Sequence, residues 1–231
     1  MRLACQIRPE APLTVTRMFR PDGRKTRAHA SQGSEQQLAV LFLDMRGFTA
    51  RTAGQLPYDV VFLLNRFFDA IVPAVTRAGG TVDKYLGDGL LALFEAATPA
   101  RSAEAALDAA AAIGTALQDF NARLAADGEP QIRIGIGIHL GQLVLGEIGS
   151  AGHAPRTIIG GSVNTASRLE AKTKDLGIEL LVSARVLEAA GYPLHRFALQ
   201  EFQLRGVSRP LAALAVEQAA ALPRLLAKEQ G

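Results

Sequence analysis

Two aspartates stand where chain geometry favours a cation. Asp44 closes an apolar run and opens Asp44-Met45-Arg46-Gly47-Phe48-Thr49, while Asp88 lies between Gly87 and Gly89. A carboxylate at a strand end, followed by a Gly-containing turn into a helix, can hold a divalent cation, and the turn's outward N–H groups can take phosphate oxygens. Such a turn can also do no more than cap the next helix. Asp88, flanked by glycines that let a ligand approach closely, is by itself also ordinary hairpin-tip chemistry. Together, at the ends of neighbouring strands, the two could chelate two Mg²⁺ about 3.5–4 Å apart. Asn164 and Arg168 are four residues apart on a predicted helix and share a face. There Arg could steady a phosphoryl transition state and Asn orient a sugar or hydroxyl, or the two could be a plain surface pair. Lys84, four residues before Asp88, could read a purine or pair with a carboxylate. The four His (29, 139, 153, 195) have no metal-ligand spacing, and His139 reads as structural.

The elements that must carry these residues are legible from periodicity. Leu38 to Leu43 is a continuous apolar run of buried-strand type. Apolar residues at 60, 61, 64, 67, 68, 71, 72 and 75 mark one face of a helix over 58–77, bent near its end by Pro73 and stopped by Gly79-Gly80. Residues 81–94 form a hairpin around Leu86-Gly87-Asp88-Gly89. An Ala-rich helix follows over 101–126. Residues 131–139 alternate, with Ile132, Ile134, Ile136 and Ile138 on one face; 143–148 reads as a second strand, joined through Gly141-Gln142. A helix with Ser162 as N-cap spans 162–173, a strand 178–182 and a short helix 184–190, and strands continue to about 216. The pattern predicts an α+β fold: a mixed, largely antiparallel sheet with helices on one side.

Composition bounds the possibilities. The chain has 231 residues, 48% apolar and 20% charged, which excludes disorder. A single cysteine, Cys5, excludes a disulfide scaffold or a Cys-rich zinc module within this chain. No apolar run approaches the ~20 residues of a membrane span, and no signal-peptide stretch opens the chain, so the expected address is cytoplasmic. Residues 1–35 hold seven Lys/Arg against three acids, while the rest carries a net charge of −1. A basic arm ahead of a neutral body reads as a solvated linker, so no nucleic-acid partner is expected. Expected domains are an N-terminal segment and linker (1–36), a main domain (37–218) and a C-terminal tail (219–231).

Four stretches, in order, resemble the class III nucleotidyl cyclase catalytic domain. They are Leu41-Phe-Leu-Asp-Met-Arg-Gly-Phe-Thr49, Lys84-Tyr-Leu-Gly-Asp-Gly-Leu-Leu-Ala-Leu-Phe94, Arg133-Ile-Gly-Ile-Gly-Ile-His139 and Thr157-Ile-Ile-Gly-Gly-Ser-Val-Asn-Thr-Ala-Ser-Arg168. The resemblance runs from about 37 to 216. It implies a ferredoxin-like palm (βααββαβ) with extra C-terminal elements, working as a head-to-tail homodimer with composite active sites. It also implies Asp44, Met45 and Asp88 as the ligands of two Mg²⁺ or Mn²⁺ per site. Lys84 and Thr157 would be the purine-selecting pair, and Asn164 and Arg168 the ribose-orienting and transition-state residues. Gly47, Phe48, Thr49 and Arg205 would contact substrate phosphates. Arg205 stands where the family often has Lys, and Ile159-Gly160-Gly161 replaces the usual Ile-Gly-Asp. Thr157 replaces the commoner Asp, as in a subclass often stimulated by bicarbonate.

The reaction so implied converts ATP to 3′,5′-cyclic AMP and pyrophosphate. The 3′-oxygen attacks the α-phosphorus in line, one cation activating it and the other holding the triphosphate. A lysine with a hydroxyl reads adenine N1 and its 6-amino group, whereas guanine N1–H and N2–H₂ call for an acceptor that Lys84 does not offer. The alternatives are a guanylate cyclase, or a degenerate cyclase domain that senses nucleotide or dimerises. Arg2-Leu-Ala-Cys-Gln-Ile-Arg8 resembles the end of a plant-type [2Fe–2S] ferredoxin domain, implying an upstream regulatory domain.

Overall fold

The computed structural model describes residues 34–147, 156–205 and 209–227. The resemblance of residues 2–8 to a ferredoxin tail lies outside them. The chain order is β1 (Ser34–Met45), α1 (Phe48–Thr52), α2 (Pro57–Arg77), β2 (Thr81–Leu86), β3 (Gly89–Phe94), α3 (Pro99–Ala126) and β4 (Ile134–Glu147). Then come β5 (Arg156–Ile159), α4 (Gly161–Leu176), β6 (Leu180–Ser183), α5 (Ala184–Ala189), β7 (Gln200–Phe202), β8 (Leu211–Val216) and α6 (Leu222–Ala227). The sheet order is β2-β3-β1-β4-β6-β8-β7, with β5 paired to β4. Only the β4–β6 pair is parallel among the described pairs. The first four strands and their helices reproduce the expected βααββαβ order.

Helices cover both faces of this sheet, not one. Along β1, Ala39, Leu41, Leu43 and Met45 enter the main core with α2 and α3, where Phe67, Ile71, Ile113 and Leu117 are buried. Leu38 and Val40 point the other way and pack with Ala166 and Val163 of α4. A strand apolar at every position is apolar because both of its faces are covered. β1 also starts three residues before the expected linker boundary, since Ser34–Gln37 complete its ladder with β4.

β4 is a single strand of 14 residues rather than two. Its Ile residues face the main core, and its glycines mark close approach of α4. A side chain at Gly137 would strike the backbone of Ala166 and Glu170, one at Gly135 the Arg46 guanidinium and Thr173, and one at Gly141 the Ser162 hydroxyl. Gly141 therefore makes room for a helix instead of turning the chain. Ser162 is not the N-cap of α4; Gly160 holds that position, and the Ser162 hydroxyl donates to the Gln142 carbonyl at 2.9 Å.

Residues 194–196 form a 3₁₀ turn, where strand was expected. Residues 219–227, set apart in sequence as a tail, fold back, burying Ala219 and Leu222. Gly114 of α3 lets the backbone at Ala219 and Ala220 sit close, and the Glu179 carboxylate accepts the Ala219 N–H at 2.8 Å. Among the described residues no helix is long and apolar enough to cross a membrane.

Candidate active site

Strand register brings the two aspartates together. Leu43 of β1 pairs with Leu90 of β3, and Leu86 pairs with Gly89, so Gly87 and Asp88 form the hairpin tip beside Asp44. Gly87 supplies the left-handed φ of +71° that the two-residue turn requires. A side chain at Gly89 would collide with the Leu43 carbonyl and the Asp44 carboxylate, so the missing Cβ is the space that lets Asp44 face the tip. Both aspartates are half-buried and Met45 is buried. Burial first, and then the charge of Asp88, push the Asp44 carboxyl above its ordinary pKa, against Arg46, the Met45 N–H and Lys174. Two carboxylates facing each other across a hairpin tip suit a hard divalent cation, which takes one or two protein carboxylates and completes its shell with phosphates and water. The donor set therefore fits Mg²⁺ or Mn²⁺, although no cluster of three His, Cys, Asp or Glu converges among the described residues.

Behind this pair lies a buried ion pair. The Arg46 Nη1 is 3.1 Å from Glu170 Oε1 of α4, and its Nη2 donates to the Glu170 carbonyl at 3.3 Å and to the Thr173 hydroxyl. Burial pushes Glu170 up to about 7, opposed by Arg46 and reinforced by Asp44 and Asp88. Asp44, Met45, Arg46 and Gly47 line a hollow of about 260 Å³ with Thr173 and Lys174. Gly47 has φ +69° and heads α1, which begins with Phe48 and Thr49.

Asn164 and Arg168 line a different cleft, of about 670 Å³, with His139, Gln142, Arg185 and Arg209. Arg168 and Glu170 project about 160° apart around α4, so the Arg168 flank faces away from the Asp44 side. His139 is buried, and its Nδ1 lies 3.0 Å from the Ser183 hydroxyl. Burial and Arg185 lower its pKa to about 4, which keeps it neutral, in line with its structural reading. Three guanidinium groups without a carboxylate among the lining residues make this cleft suited to an anion.

The remaining expected residues are more dispersed. Lys84 is exposed on β2 opposite Leu91, its Nζ 3.1 Å from the carboxylate of Asp83, which occupies the irregularity in the β2–β3 ladder. Thr157 is half-buried on β5, opposite Gly146. Arg205 is exposed and lines neither cavity, and residues 206–208 beyond it lie outside the described set. Arg185, Arg209 and the Arg46–Glu170 pair are what sequence reasoning missed. The arginines are isolated in sequence, and the ion pair joins positions 124 residues apart.

Comparison with known proteins gives a consistent result. The family described as adenylate and guanylate cyclase catalytic domain matches residues 30–211. An adenylate cyclase of Anabaena cylindrica is 33% identical over 180 residues, covering 76% of this chain and 34% of that protein. Adenylate cyclase 1 of Rhizobium meliloti is 35% identical over 153 residues, 66% of this chain and 23% of that protein. The chain thus spans about a third of the length of the first of these curated relatives and about a quarter of the second. Among solved structures, the guanylyl cyclase Cya2 matches with TM-score 0.68 and 33% identity, over 80% of this chain and 93% of that one. The adenylyl cyclase CyaB from P. aeruginosa matches with TM-score 0.70 and 25% identity, over 80% and 95%.

Proposed function

The chain belongs to the adenylate and guanylate cyclase catalytic-domain family, and from that membership we propose that it is an adenylate cyclase acting as a head-to-tail homodimer. The observation that carries the reading is the register that sets Asp44 against Asp88 across the gap at Gly89. Asp44, Asp88 and the Met45 carbonyl would hold the cations, whose chemistry when bound is to acidify the ribose 3′-hydroxyl and neutralise the triphosphate. The reaction forms the 3′-O–Pα bond, breaks the bridge from the α- to the β-phosphate, and sends the hydroxyl proton to solvent and pyrophosphate away.

The chain's own side chains divide the rest. Arg168 donates to the α-phosphoryl oxygens as their charge grows, and Asn164 orients the ribose. Lys84 and Thr157 read the adenine edge. The Gly47–Thr49 turn binds phosphate from the carboxylate side. Arg185 and Arg209, in the Asn164–Arg168 cleft, take the departing pyrophosphate, and Arg205 contacts the substrate phosphates. The opposed flanks of α4 support division of the site between two chains. The carboxylates of one protomer would meet the Asn164–Arg168 cleft of its partner.

The similarity to the guanylyl cyclase Cya2 favours a second reading, with GTP as substrate. One assay separates them. Purified protein is given Mn²⁺ with ATP or GTP, and cyclic nucleotide and pyrophosphate are measured. Cyclic AMP in clear excess supports the proposal, and cyclic GMP in excess supports the second reading. Nucleotide binding without turnover by either substrate would leave a sensor or dimerisation module and refute both.

A further inference from the structure

Arg46 lies between the two functional parts of each chain. In the turn that follows β1 it is two residues from Asp44, and its backbone N–H donates to the Arg133 carbonyl at 2.7 Å. Its guanidinium reaches α4, where it meets the carboxylate and carbonyl of Glu170 and the hydroxyl of Thr173. Thr173 is fully buried, and its hydroxyl donates to the Glu170 carbonyl at 2.6 Å. Arg168 is two residues from Glu170 on the same helix. Gly135 leaves the room in which the guanidinium lies, and Gly137 seats the helix backbone directly on β4. A planar fork with five donors in fixed directions can engage a carboxylate, a carbonyl and a hydroxyl together in one set orientation, which the compact, freely rotating ammonium of a lysine does not fix.

We propose that Arg46 is a positioning residue that locks the chain's carboxylate half-site to its Asn164–Arg168 half-site. The inference rests on the composite-site reading above. In a head-to-tail dimer those halves belong to different active sites, so Arg46 ties the geometry of one site to that of the other. Loss of the fork would loosen the Asp44 turn and α4 in the same chain.

Exchange between inactive chains tests this. Differently tagged Asp44→Ala, Arg168→Ala and Arg46→Ala proteins are mixed in pairs, and pyrophosphate release from Mn²⁺-ATP is measured. Asp44→Ala with Arg168→Ala should recover about a quarter of wild-type activity, because half the dimers are mixed and one of their two sites has no lesion. No recovery there, with exchange verified, refutes the composite site and the coupling with it. Arg46→Ala carries both lesions in one chain, so with either partner every mixed site has a faulty half. Activity should stay below about a twentieth of wild type. Recovery to about a quarter with Asp44→Ala would assign Arg46 to the helix alone, and with Arg168→Ala to the turn alone; either overturns the proposal. So does an Arg46→Ala homodimer within twofold of wild type.

Arg46→Lys guards against a folding artefact and replaces Arg46→Ala in the exchanges if the latter does not form dimers. It should lower kcat at least tenfold at nearly unchanged KM, and full rescue by lysine would show that charge alone suffices and sink the bridge.

Discussion

Gly137→Ala is the sharpest test of how β4 positions the site. The new methyl would point into the backbone of α4, roughly an ångström too close to the Glu170 nitrogen and the Ala166 carbonyl. Neither atom can rotate away as a side-chain tip would, so the helix must lift. Overpacking of this kind costs about 1–3 kcal/mol, which for a domain of this size lowers Tm by roughly 3–10 °C. The larger effect is catalytic. Asn164 and Arg168 travel with α4, and a displacement of about 1 Å at reacting groups can cost on the order of a hundredfold in rate. We therefore expect a folded dimer whose kcat for Mn²⁺-ATP falls about a hundredfold. Gly135→Ala is the informative neighbour, because there the methyl meets the Arg46 guanidinium and the Thr173 hydroxyl, which are side-chain ends. It should lose less stability yet behave like loss of Arg46. Gly161→Ala, where a methyl has open space, should leave Tm within about a degree. Thermal melts and steady-state kinetics on the three variants decide the matter. A Gly137→Ala enzyme within threefold of wild-type kcat would refute the claim that this contact fixes the helix.

Asp44→Asn and Asp88→Asn should each fold normally and lose more than nine-tenths of turnover; retention of a tenth of the rate by either would deny it a metal-binding role. The joint change of Arg185 and Arg209 to Ala should raise KM for ATP about tenfold or more, and an unchanged KM would place the triphosphate elsewhere. Glu170 has a folded pKa of about 7 against 4.5 unfolded, so its protonation supports the fold fully below pH 4.5, and that support is lost as pH rises through 7. It is worth about 3 kcal/mol at most, and urea titrations in chelator should show a shallower decline from pH 5 to 8 in Glu170→Gln than in wild type. The double change Arg46→Met with Glu170→Leu should hold or raise stability while cutting turnover at least tenfold; a fully active double variant would deny the ion pair any part in catalysis.

The framework of this site is readable in sequence because its signals are local. The run at 38–43, the helical spacing over 58–77 and the glycines around Asp88 each reflect burial or turn chemistry within a few residues, and their elements appear at those places. What failed was the meaning of glycine in β4. In sequence, Gly141 reads as a break between strands, because glycine is a strong signal of turns. In the fold, Gly135, Gly137 and Gly141 lie along one unbroken strand and are small because α4 lies against them. That partner is 20 to 40 residues away in sequence and leaves no periodic trace. For the same reason helices were expected on one side of the sheet only. Leu38 and Val40 needed a second cover, which only tertiary contact identifies.

The Arg46–Glu170 pair shows why such a contact is best understood through function. An ion pair at an otherwise packed helix–sheet seam must repay the desolvation of both charges, and apolar residues of similar volume commonly do as well or better for stability. Here the cost is visible, since burial drives Glu170 toward neutrality despite an arginine 3.1 Å away. Apolar packing is non-directional, however, and would fix neither the rotation of α4 nor its height over β4. The guanidinium does both, because it contacts two successive turns of the helix through Glu170 and Thr173. Rotation of α4 sets where Asn164 and Arg168 point, and height sets how far they reach. A seam that is costly for folding but directional suits a helix whose two flanks, in the proposed composite-site dimer, would serve two different active sites.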